Sequence, residues 1–484
     1  MLSRLFQRAH PNRPPLRLHN TLSGALEEFT ALSSREVKMY NCGPTVYDRQ
    51  HIGNLRSYVL ADTLRRALLY WGYSLKQVIN ITDVGHLVSD ADEGEDKMEA
   101  SAKKQGRSAK DIASEYTDAF LKDLDALGID RTHILFPRAT EYISEQIALV
   151  KTLLEKGYAY EIADGIYFDV SRFPSYGKLG GIKLSGLREG ARVEENPEKH
   201  GPYDFALWKR SPPGVEREQE WNSPWGVGFP GWHIECTAMI FKLLGKQIDI
   251  HTGGVDHIPV HHNNEIAQAE AATGKRYVKY WLHNEFITIE GKKISKSLGN
   301  TVYLYNVADR GLSPKVLRYW FLTAHYRSPI NFTWEALEGA ASARDRLLRH
   351  FFEEYAQAEG GTPDESFMRN FLDALAHDLD TPKALAAVWE MVRNESLSPA
   401  VKRASLLEVD TLLGIGIGDA RERMKLSVIP ERELPEEIQK LLQEREEARA
   451  SKDFTRADVL RRELQERGYE ISDTPEGSRI SKIN

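Results

Sequence analysis

The sequence predicts an α/β protein in which a parallel β-sheet with an insertion precedes a helical region. An apolar segment at residues 36–40 leads through a tight turn into a helical pattern at about 55–71, and a second apolar segment follows at 77–82. Strand, turn, helix and strand in this order form a βαβ unit, which places its strands in parallel and binds ligands at their carboxyl ends. Beyond about residue 314 strand patterns nearly vanish and helical periodicity takes over.

The predicted sheet resumes far along the chain, at residues 247–251 and 277–284. Between its two parts, residues at about 110–225 contain two helical stretches and then a loop-rich region with several glycines, which indicates an insertion. Helices should run to about residue 413, followed by a glycine-containing loop and a helical pair at about 435–467. We therefore predict an N-terminal extension over 1–15, a sheet domain over 16–310, a linker and helical bundle over 311–425, and a helical pair with a small tail over 426–484.

The composition excludes several classes of protein. The chain has 484 residues, of which 41% are hydrophobic and 28% charged, and it contains no apolar run of the about 18 residues that cross a bilayer. The formal net charge of −7 gives no global attraction for nucleic acid, so any RNA must bind to local basic surfaces. With two cysteines in the whole sequence, the reducing cytoplasm is favoured over a secreted disulfide framework.

The first group of candidate functional residues is His51-Ile52-Gly53-Asn54, at the predicted start of the first helix. A helix N-terminus presents free N–H groups and a positive dipole end, both of which suit phosphate. A glycine there lets a purine or a phosphate approach the backbone, and small polar side chains can donate to charge developing on phosphate oxygens. A short segment of this kind also occurs at ordinary helix starts.

The second group, Lys293-Ile294-Ser295-Lys296-Ser297, follows a predicted strand and the turn at 289–291. Two lysines separated by two residues on a mobile loop can close over a triphosphate. They would neutralise the charge that builds up as pyrophosphate leaves. The alternative is an exposed basic loop that binds no ligand.

The third group combines two thiols, several imidazoles and a carboxylate, and it comprises Cys42, Cys236, His233, His261, His262 and Glu265. His261 and Glu265 are four residues apart, so they share one face of a predicted helix. Two thiolates, an imidazole and a carboxylate form a tetrahedral zinc site, and zinc can expand to five ligands to admit a substrate sulfur. The choice among the three histidines stays open, and two inert buried thiols are the simpler alternative.

The first two groups together resemble the paired signature loops of class I aminoacyl-tRNA synthetases. Residues 51–54 match the HIGH motif with Asn54 at its last position, and residues 293–297 match KMSKS with Ile294 in place of methionine. The resemblance implies that catalysis falls to His51, Asn54, Lys293 and Lys296. It implies that ATP, accompanied by Mg²⁺, contacts His51, Gly53, Asn54, Lys293, Ser295 and Lys296.

A longer resemblance, from about residue 16 to residue 479, is to the cysteinyl-tRNA synthetase family. Members carry the segments found here at 40–48, 231–236 and 261–268. The chain departs from the family pattern at Asn263, where glutamate is usual, and at Val260, where proline is usual. Neither position is a metal ligand in the family.

This resemblance implies a Rossmann-type catalytic domain followed by an all-helical tRNA-binding region. It implies an ATP-driven ligase that activates L-cysteine as cysteinyl-adenylate and transfers it to the terminal adenosine of tRNA(Cys). One zinc ion per chain would bind through Cys42, Cys236, His261 and Glu265. The amino acid pocket would comprise Gly43, Thr82, Trp232 and Asp256. A monomer without membrane contact is expected.

Two other functions are open at this stage. A ligase that joins activated cysteine to a small amine, as in mycothiol synthesis, would resemble the catalytic half, but such relatives are trimmed at the C-terminus. This chain continues through residues 473–477. A non-catalytic RNA-binding paralogue would usually lose lysines of the second loop or zinc ligands, and this chain retains both.

Overall fold

A computed structural model gives the structure of most of the chain. It describes residues 13–33, 36–84, 97–182, 196–211, 214, 217–295, 298–419, 431–451, 453–474 and 477–482. Among the predicted site residues, Lys296 lies outside these ranges, as do residues 1–12 of the predicted extension.

The strands are short and fall into separate sheets. In chain order they are β1 (Arg17–Asn20), β2 (Ala25–Glu28), β3 (Glu36–Asn41), β4 (Ser74–Ile79), β5 (Ile134–Leu135), β6 (Ala159–Ile162), β7 (Gly165–Phe168), β8 (Phe205–Arg210), β9 (Trp221–Ser223), β10 (Gly226–Pro230), β11 (Ile248–Gly254), β12 (Val278–Asn284), β13 (Ile287–Ile289), β14 (Lys292–Lys293), β15 (Ile330–Phe332), β16 (Tyr469–Thr474) and β17 (Gly477–Lys482).

Helices separate the strands of the first half and dominate the second. In chain order they are α1 (Ile52–Tyr70), α2 (Lys97–Gln105), α3 (Ala109–Ala126), α4 (Ile143–Glu155), α5 (Trp232–Leu243), α6 (His261–Thr273), α7 (Leu304–Asp309), α8 (Pro314–Leu322), α9 (Trp334–Arg349), α10 (Glu365–Ala376), α11 (Thr381–Arg393), α12 (Pro399–Leu413), α13 (Glu436–Ala450) and α14 (Phe454–Glu466). No helix within the described ranges is both long enough and apolar enough to cross a membrane.

A parallel sheet lies at the centre of the first part, and its described strands pair in the order β12-β11-β3-β4-β5. Going along the chain, the sheet grows from β3 through β4 to β5, then returns to the other side of β3 with β11 and β12. This is the doubly wound arrangement, and it leaves a crevice where the order reverses between β3 and β11. The predicted βαβ unit is present as β3, α1 and β4.

Helix α1 lies between the sheet and the helical region, so both of its sides are buried. Leu64 packs with Val37 and Met39 of β3. Leu55 and Val59 join a second cluster that continues through α8 to α12. Helix α1 therefore contributes to two apolar clusters, one with the sheet and one with the helical bundle, and connects them.

The insertion differs from the sequence prediction, because the glycine-rich region expected as loops contains a sheet. Strands β6 to β10 form an antiparallel sheet in the order β6-β7-β8-β10-β9. Phe168, Phe205 and Trp208 of this sheet pack with α4 and α5. The strands span three to six residues. That is too short for alternation to be distinguished from a loop.

The region after residue 314 is helical through α8 to α14, with two additions that the sequence did not predict. Strand β15 pairs in parallel with β13, and β13 pairs with β14 in a small three-stranded sheet. Strands β16 and β17 form an antiparallel hairpin that packs with α13 and α14 around Leu442, Leu464 and Ile480.

Candidate active site and metal centre

The predicted metal ligands gather where the strand order reverses. Cys42 follows β3 directly, and its N–H donates to the carbonyl oxygen of Thr252 in β11 at 3.1 Å. Asn41 Nδ2 donates to Thr252 Oγ1 at 2.7 Å. These two bonds fix the end of β3 to β11, at the edge where doubly wound sheets bind ligands.

The other predicted ligands come from two helices that begin near this edge. Cys236 lies one turn into α5, and α6 begins with His261 and carries Glu265 one turn later. Donor atoms of Cys42, Cys236, His261 and Glu265 all lie within 4.8 Å of one another, and the four side chains are buried. The structure thus brings the whole predicted set together.

His261 lies between the other ligands. Its Nε2 is 3.0 Å from Glu265 Oε1 and 3.7 Å from Cys236 Sγ. Its Nδ1 is 2.9 Å from Nδ1 of His233. One ring nitrogen therefore faces the cluster while the other contacts His233, which lies on the far side of the ring.

His262 approaches the same cluster from the side of Cys42. Its Nε2 is 3.2 Å from Cys42 Sγ and 4.0 Å from Glu265 Oε1. A second group of donor atoms, from Cys42, His251, His262 and Glu265, also lies within 4.8 Å. The geometry alone admits either histidine, so the choice of His261 rests on the resemblance.

His251 and Tyr277, which were not predicted from the sequence, both contact Glu265. His251 Nε2 is 3.1 Å from Glu265 Oε2, and the Tyr277 hydroxyl donates to the same oxygen at 3.2 Å. Partners of this kind orient a ligating carboxylate, here leaving Oε1 on the side of the other ligands. The available signal was a histidine in the middle of the apolar strand β11.

The charges in the cluster depend on one another. A hydrogen bond from Cys42 and the contact with His261 lower the pKa of Cys236 to about 7, although burial and Glu265 raise it. Burial and the hydrogen bond to Cys236 raise the pKa of the Cys42 thiol well above its ordinary range. Burial raises the pKa of Glu265, but His251 and His261 lower it more, so this carboxyl is ionised. Two thiols, a carboxylate and an imidazole side chain at this spacing are a donor set that fits Zn²⁺, whose binding displaces the protons that these groups carry.

Gly43 follows Cys42 and is held against the end of β4. Its N–H donates to Asn80 Oδ1 at 2.8 Å. A Cβ added at this position would lie 1.5 Å from the carbonyl oxygen of Asn80. The backbone segments at Gly43 and Asn80 approach so closely that glycine is required at position 43.

The other predicted pocket residues border the same cluster. Thr82 Oγ1 accepts from Asn80 Nδ2 at 3.0 Å and donates to Glu235 Oε2 at 3.1 Å. The Trp232 ring lies 4.5 Å from the ring of His261. Asp256 is exposed in the turn after β11. Glu235 is buried beside Cys236 and was not predicted.

The first signature segment caps α1. His51 precedes the helix, its Nδ1 accepts from the Asn54 N–H, and its own N–H donates to Asn54 Oδ1, both at 3.3 Å. The asparagine at the last position of this motif therefore has a structural partner. Asn54 is exposed and His51 half-buried at the start of the helix.

The second signature segment lies beside the first. Lys293 ends β14 and is exposed, while Ile294 reaches α1, where a Cβ added at Gly53 would lie 3.1 Å from Ile294 Cδ1. Asn300 Oδ1 accepts from the Ser295 N–H at 2.9 Å, and its Nδ2 donates to the Lys293 carbonyl at 3.0 Å. Asn300, which was not predicted from the sequence, thus stabilises the loop at residues 293–300 through these two hydrogen bonds.

Comparison with known proteins decides the family. The model of the tRNA synthetases class I (C) catalytic domain matches residues 28–342, and that of the Cysteinyl-tRNA ligase anticodon binding domain matches residues 431–479. A relative in Burkholderia lata, named Cysteine--tRNA ligase 1, is 48% identical over 467 residues, which cover 96% of this chain and 97% of that protein. The chain belongs to the cysteine–tRNA ligase family. Its resemblance to that family is thereby confirmed, and with it the class of ATP-dependent aminoacyl-tRNA ligases.

More distant comparisons agree. The Cysteine--tRNA ligase of Thermus thermophilus is 42% identical over 484 residues, covering 96% of this chain and 98% of the relative. The Mycobacterium tuberculosis methionyl-tRNA synthetase bound by methionyl-adenylate matches with a TM-score of 0.55 and 14% identity, covering 79% of this chain and 93% of that one. The ternary complex of Agrobacterium radiobacter LeuRS with tRNA and LeuAMS matches with a TM-score of 0.59 and 11% sequence identity. The match covers 81% of this chain and 84% of that one. These structures confirm the predicted α/β fold class.

Proposed function

We propose that this protein activates L-cysteine with ATP as cysteinyl-adenylate and transfers the cysteinyl group to the terminal adenosine of tRNA(Cys). The observation that carries the proposal is the meeting of two thiols, an imidazole and a carboxylate at the carboxyl edge of the parallel sheet. The two signature segments lie in contact at the start of α1, the helix that follows β3. Amino acid selection and phosphate chemistry are thus combined at one edge.

The buried cluster explains how cysteine would be distinguished from serine. Cys42, Cys236, His261 and Glu265 would hold one zinc ion, which when bound supplies a partner for the substrate thiolate. A coordinating thiol is deprotonated outright, whereas a serine hydroxyl is a far poorer anion. A site built around one decisive polar contact rejects an analogue without it by about 10,000-fold or more.

The other pocket residues would orient the amino acid. We assign the substrate ammonium to the Asp256 carboxylate and the space beside the metal to the Trp232 ring. Gly43 and Thr82 would line the remaining side, since both are held by Asn80 at the ends of β3 and β4. Bound in this way, the substrate carboxylate would point toward ATP.

In the activation step, a carboxylate oxygen of cysteine forms a bond to the α-phosphorus of ATP. The bond from that phosphorus to the bridging oxygen breaks, and pyrophosphate leaves with the electron pair. Because His51 Nδ1 accepts from the Asn54 N–H, the ring proton of His51 lies on Nε2 and can be donated to a phosphate oxygen. Lys293 and Lys296 neutralise the leaving pyrophosphate, which Mg²⁺ accompanies, and Gly53 and Ser295 border the nucleotide.

In the transfer step, the 2′-hydroxyl oxygen of the terminal adenosine forms a bond to the carbonyl carbon of the adenylate. The bond from that carbon to the phosphate oxygen breaks, and AMP leaves and takes up the hydroxyl proton. We assign recognition of tRNA to the region beyond about residue 311, including residues 431–479 that match the anticodon binding domain. The chain would act as a monomer in the cytoplasm, where its two ligating thiols stay reduced.

The test is cysteine-dependent exchange of pyrophosphate into ATP, with serine as the competing amino acid and zinc measured by atomic absorption. We expect exchange with cysteine, none with serine, and one zinc ion per chain. Cys236→Ser should lose the zinc and the exchange together. Met239→Leu is the matched control, because it removes another buried sulfur from α5 that lies outside the cluster, and it should retain both.

The acceptor is tested by charging tRNA(Cys) and an amino sugar in parallel. Transfer to the tRNA supports the proposal, while transfer to the amino sugar alone indicates a small-amine ligase. A folded, zinc-loaded protein that exchanges no pyrophosphate would contradict the proposed activity and favour a non-catalytic RNA-binding role.

A further inference from the structure

Arg56 of α1 binds four backbone carbonyls from two distant parts of the chain. Its Nη1 donates to the carbonyl oxygen of Glu285 at 2.8 Å and to that of Phe286 at 3.2 Å. Nη2 donates to His325 at 3.0 Å and Ser328 at 2.8 Å. A single guanidinium therefore holds the segment that follows β12 and the turn that precedes β15.

Both segments lead into the small sheet that carries the second signature segment. Phe286 directly precedes β13, which turns into β14 and Lys293. The two segments are also bonded to each other, by the Glu285 N–H to the Tyr326 carbonyl at 2.9 Å and the Ile330 N–H to the Phe286 carbonyl at 3.2 Å. Arg56 thus binds the two segments that lead into the small sheet carrying Lys293.

The same helix carries the first signature segment at its start. Arg56 lies two residues after Asn54, within the opening turns of α1. The contact between Gly53 and Ile294 also joins the two segments, but it is apolar and sets no direction. The Ile52 N–H donates to the Val302 carbonyl at 2.9 Å, which ties the start of α1 to the segment that follows the second signature loop. The hydrogen bonds of Arg56 are the directional link from α1 to the segments at the start of the β13–β14 hairpin.

Packing alone does not account for a charged residue at this position. Arg56 is 2% exposed, and burial lowers its pKa to about 10, which leaves it charged at neutral pH. Burying a cation costs free energy that an apolar residue of similar volume avoids. A planar guanidinium offers fixed donors for several acceptors at once, which a lysine ammonium does not.

We propose that Arg56 is a positioning residue for adenylate formation, which holds the hairpin of Lys293 in register with His51 and Asn54. The inference rests on the proposed function. The reason is geometric: groups from two separate elements must reach the same phosphates, and a displacement of about 1 Å in such a site costs about 100-fold in rate. Arg56 contacts neither ATP nor cysteine in this role.

The test compares Arg56→Met and Arg56→Lys with the natural protein in pyrophosphate exchange, at a temperature well below unfolding. We expect Arg56→Met to lower kcat by about 100-fold, with the KM for cysteine changed by less than about 2-fold, because the amino acid pocket lies on other elements. Zinc content should stay at the natural value. Arg56→Lys should fall between the two, and added ethylguanidinium should partly restore the truncated Arg56→Ala.

Arg344→Met is the matched control. Arg344 is also buried and donates from Nε to the carbonyl of Ile415 at 2.9 Å, but it lies in the helical bundle away from the signature segments. Its loss should lower the melting temperature and leave the kcat of exchange unchanged.

Four outcomes distinguish the possibilities. A folded, zinc-loaded Arg56→Met with natural kcat overturns the positioning role, as does a loss matched by Arg344→Met at equal destabilisation. A fall in kcat with an unchanged KM for cysteine and rescue by ethylguanidinium supports it. Absence of exchange in the natural protein overturns the proposed function instead, so the two failures are distinguished.

Discussion

At the scale of single residues, the site depends on glycines at points of close approach, against backbone at Gly43 and against side chains at Gly53. Gly43 joins the first thiol ligand to the amino acid pocket, with the Asn80 carbonyl where its Cβ would be. Gly53 allows Ile294 to reach the start of α1. Neither residue reacts, yet each fixes the distance between groups that do.

Replacement of Gly43 by alanine should therefore abolish the site. The added Cβ would lie 1.5 Å from backbone, so β3 and β4 must separate, and we expect the free energy of unfolding to fall by about 3 kcal/mol or more. Urea unfolding followed by circular dichroism measures the loss, and zinc content should fall with it. Gly339→Ala is the control: it lies within α9 with nothing within 4 Å of the added Cβ, so it should stabilise by up to about 1 kcal/mol. A Gly43→Ala protein of natural stability would refute the reasoning.

At the scale of secondary-structure elements, α1 connects the site to the rest of the molecule. Beyond Arg56 it carries Asp62, whose Oδ2 lies 2.6 Å from Arg66 Nε and 2.7 Å from Arg318 Nη2. Arg318 lies on α8, and its Nε donates to the Leu413 carbonyl at 2.6 Å. One buried carboxylate thus ties α1 to α8 and to the end of α12.

The Asp62 cluster predicts a dependence of stability on pH. Burial raises the pKa of Asp62, but Arg66, Arg318 and Arg65 lower it more, to about 2. Because the folded pKa lies below the unfolded one, the carboxylate stabilises the protein fully above about pH 5, by about 2 kcal/mol, and this is lost as the pH falls toward 2. Melting temperatures between pH 6 and 3 should fall more steeply for the natural protein than for Asp62→Asn.

At neutral pH the Asp62→Asn protein should itself be less stable by about 3 kcal/mol, since three buried guanidiniums, of Arg65, Arg66 and Arg318, lose their counter-charge. Asp111→Asn, at an exposed position in α3, is the control and should follow the natural curve. Parallel pH curves for the natural protein and Asp62→Asn would show that the carboxylate does not titrate as described.

The elements that could be predicted from the sequence are those long enough to show a regular pattern of apolar residues. The helix α1 and the strands β3, β4, β11 and β12 were each predicted within a few residues, because buried apolar residues recur along each of them. The short strands of the insertion carry too few residues to show a period. His251 and Asn300 were missed because their roles depend on partners that only the folded chain brings near, at Glu265 and the Lys293 loop.

At the scale of the whole molecule, one loop fastens the helical bundle to the sheet domain. Asp378 and Leu379, between α10 and α11, have φ values of 60° and 53°, a region that side chains other than glycine rarely adopt. The buried Asp378 carboxylate accepts from the His19 N–H at 2.8 Å, the Tyr326 hydroxyl at 2.6 Å and Arg327 Nε at 2.6 Å. The Asp378 carboxylate therefore connects the bundle to β1 and to the turn at residues 325–328, which Arg56 also binds.

Removal of the Asp378 carboxylate should weaken the attachment of the helical bundle to the sheet domain. We expect Asp378→Ala to lower stability by about 2 kcal/mol, because the buried Tyr326 hydroxyl and the His19 N–H lose their acceptor, while the exposed Arg327 can donate to water. Scanning calorimetry should show the single transition broadening or splitting as the bundle melts apart from the sheet. Asp373→Ala, exposed on α10, is the control. An unchanged, single sharp transition in Asp378→Ala would contradict this account.

The strand order also bears on how the molecule is made. During synthesis β3, β4 and β5 leave the ribosome early, but the free side of β3 acquires its neighbour only when β11 has been translated, after the whole insertion. Until then β3 is an edge strand with unpaired backbone groups, and such edges promote aggregation. Fragments that stop before β11 would retain that edge permanently. The catalytic half is therefore a poor candidate for dissection into smaller expressible pieces, and its nascent chain is a natural client for chaperones that shield exposed strands.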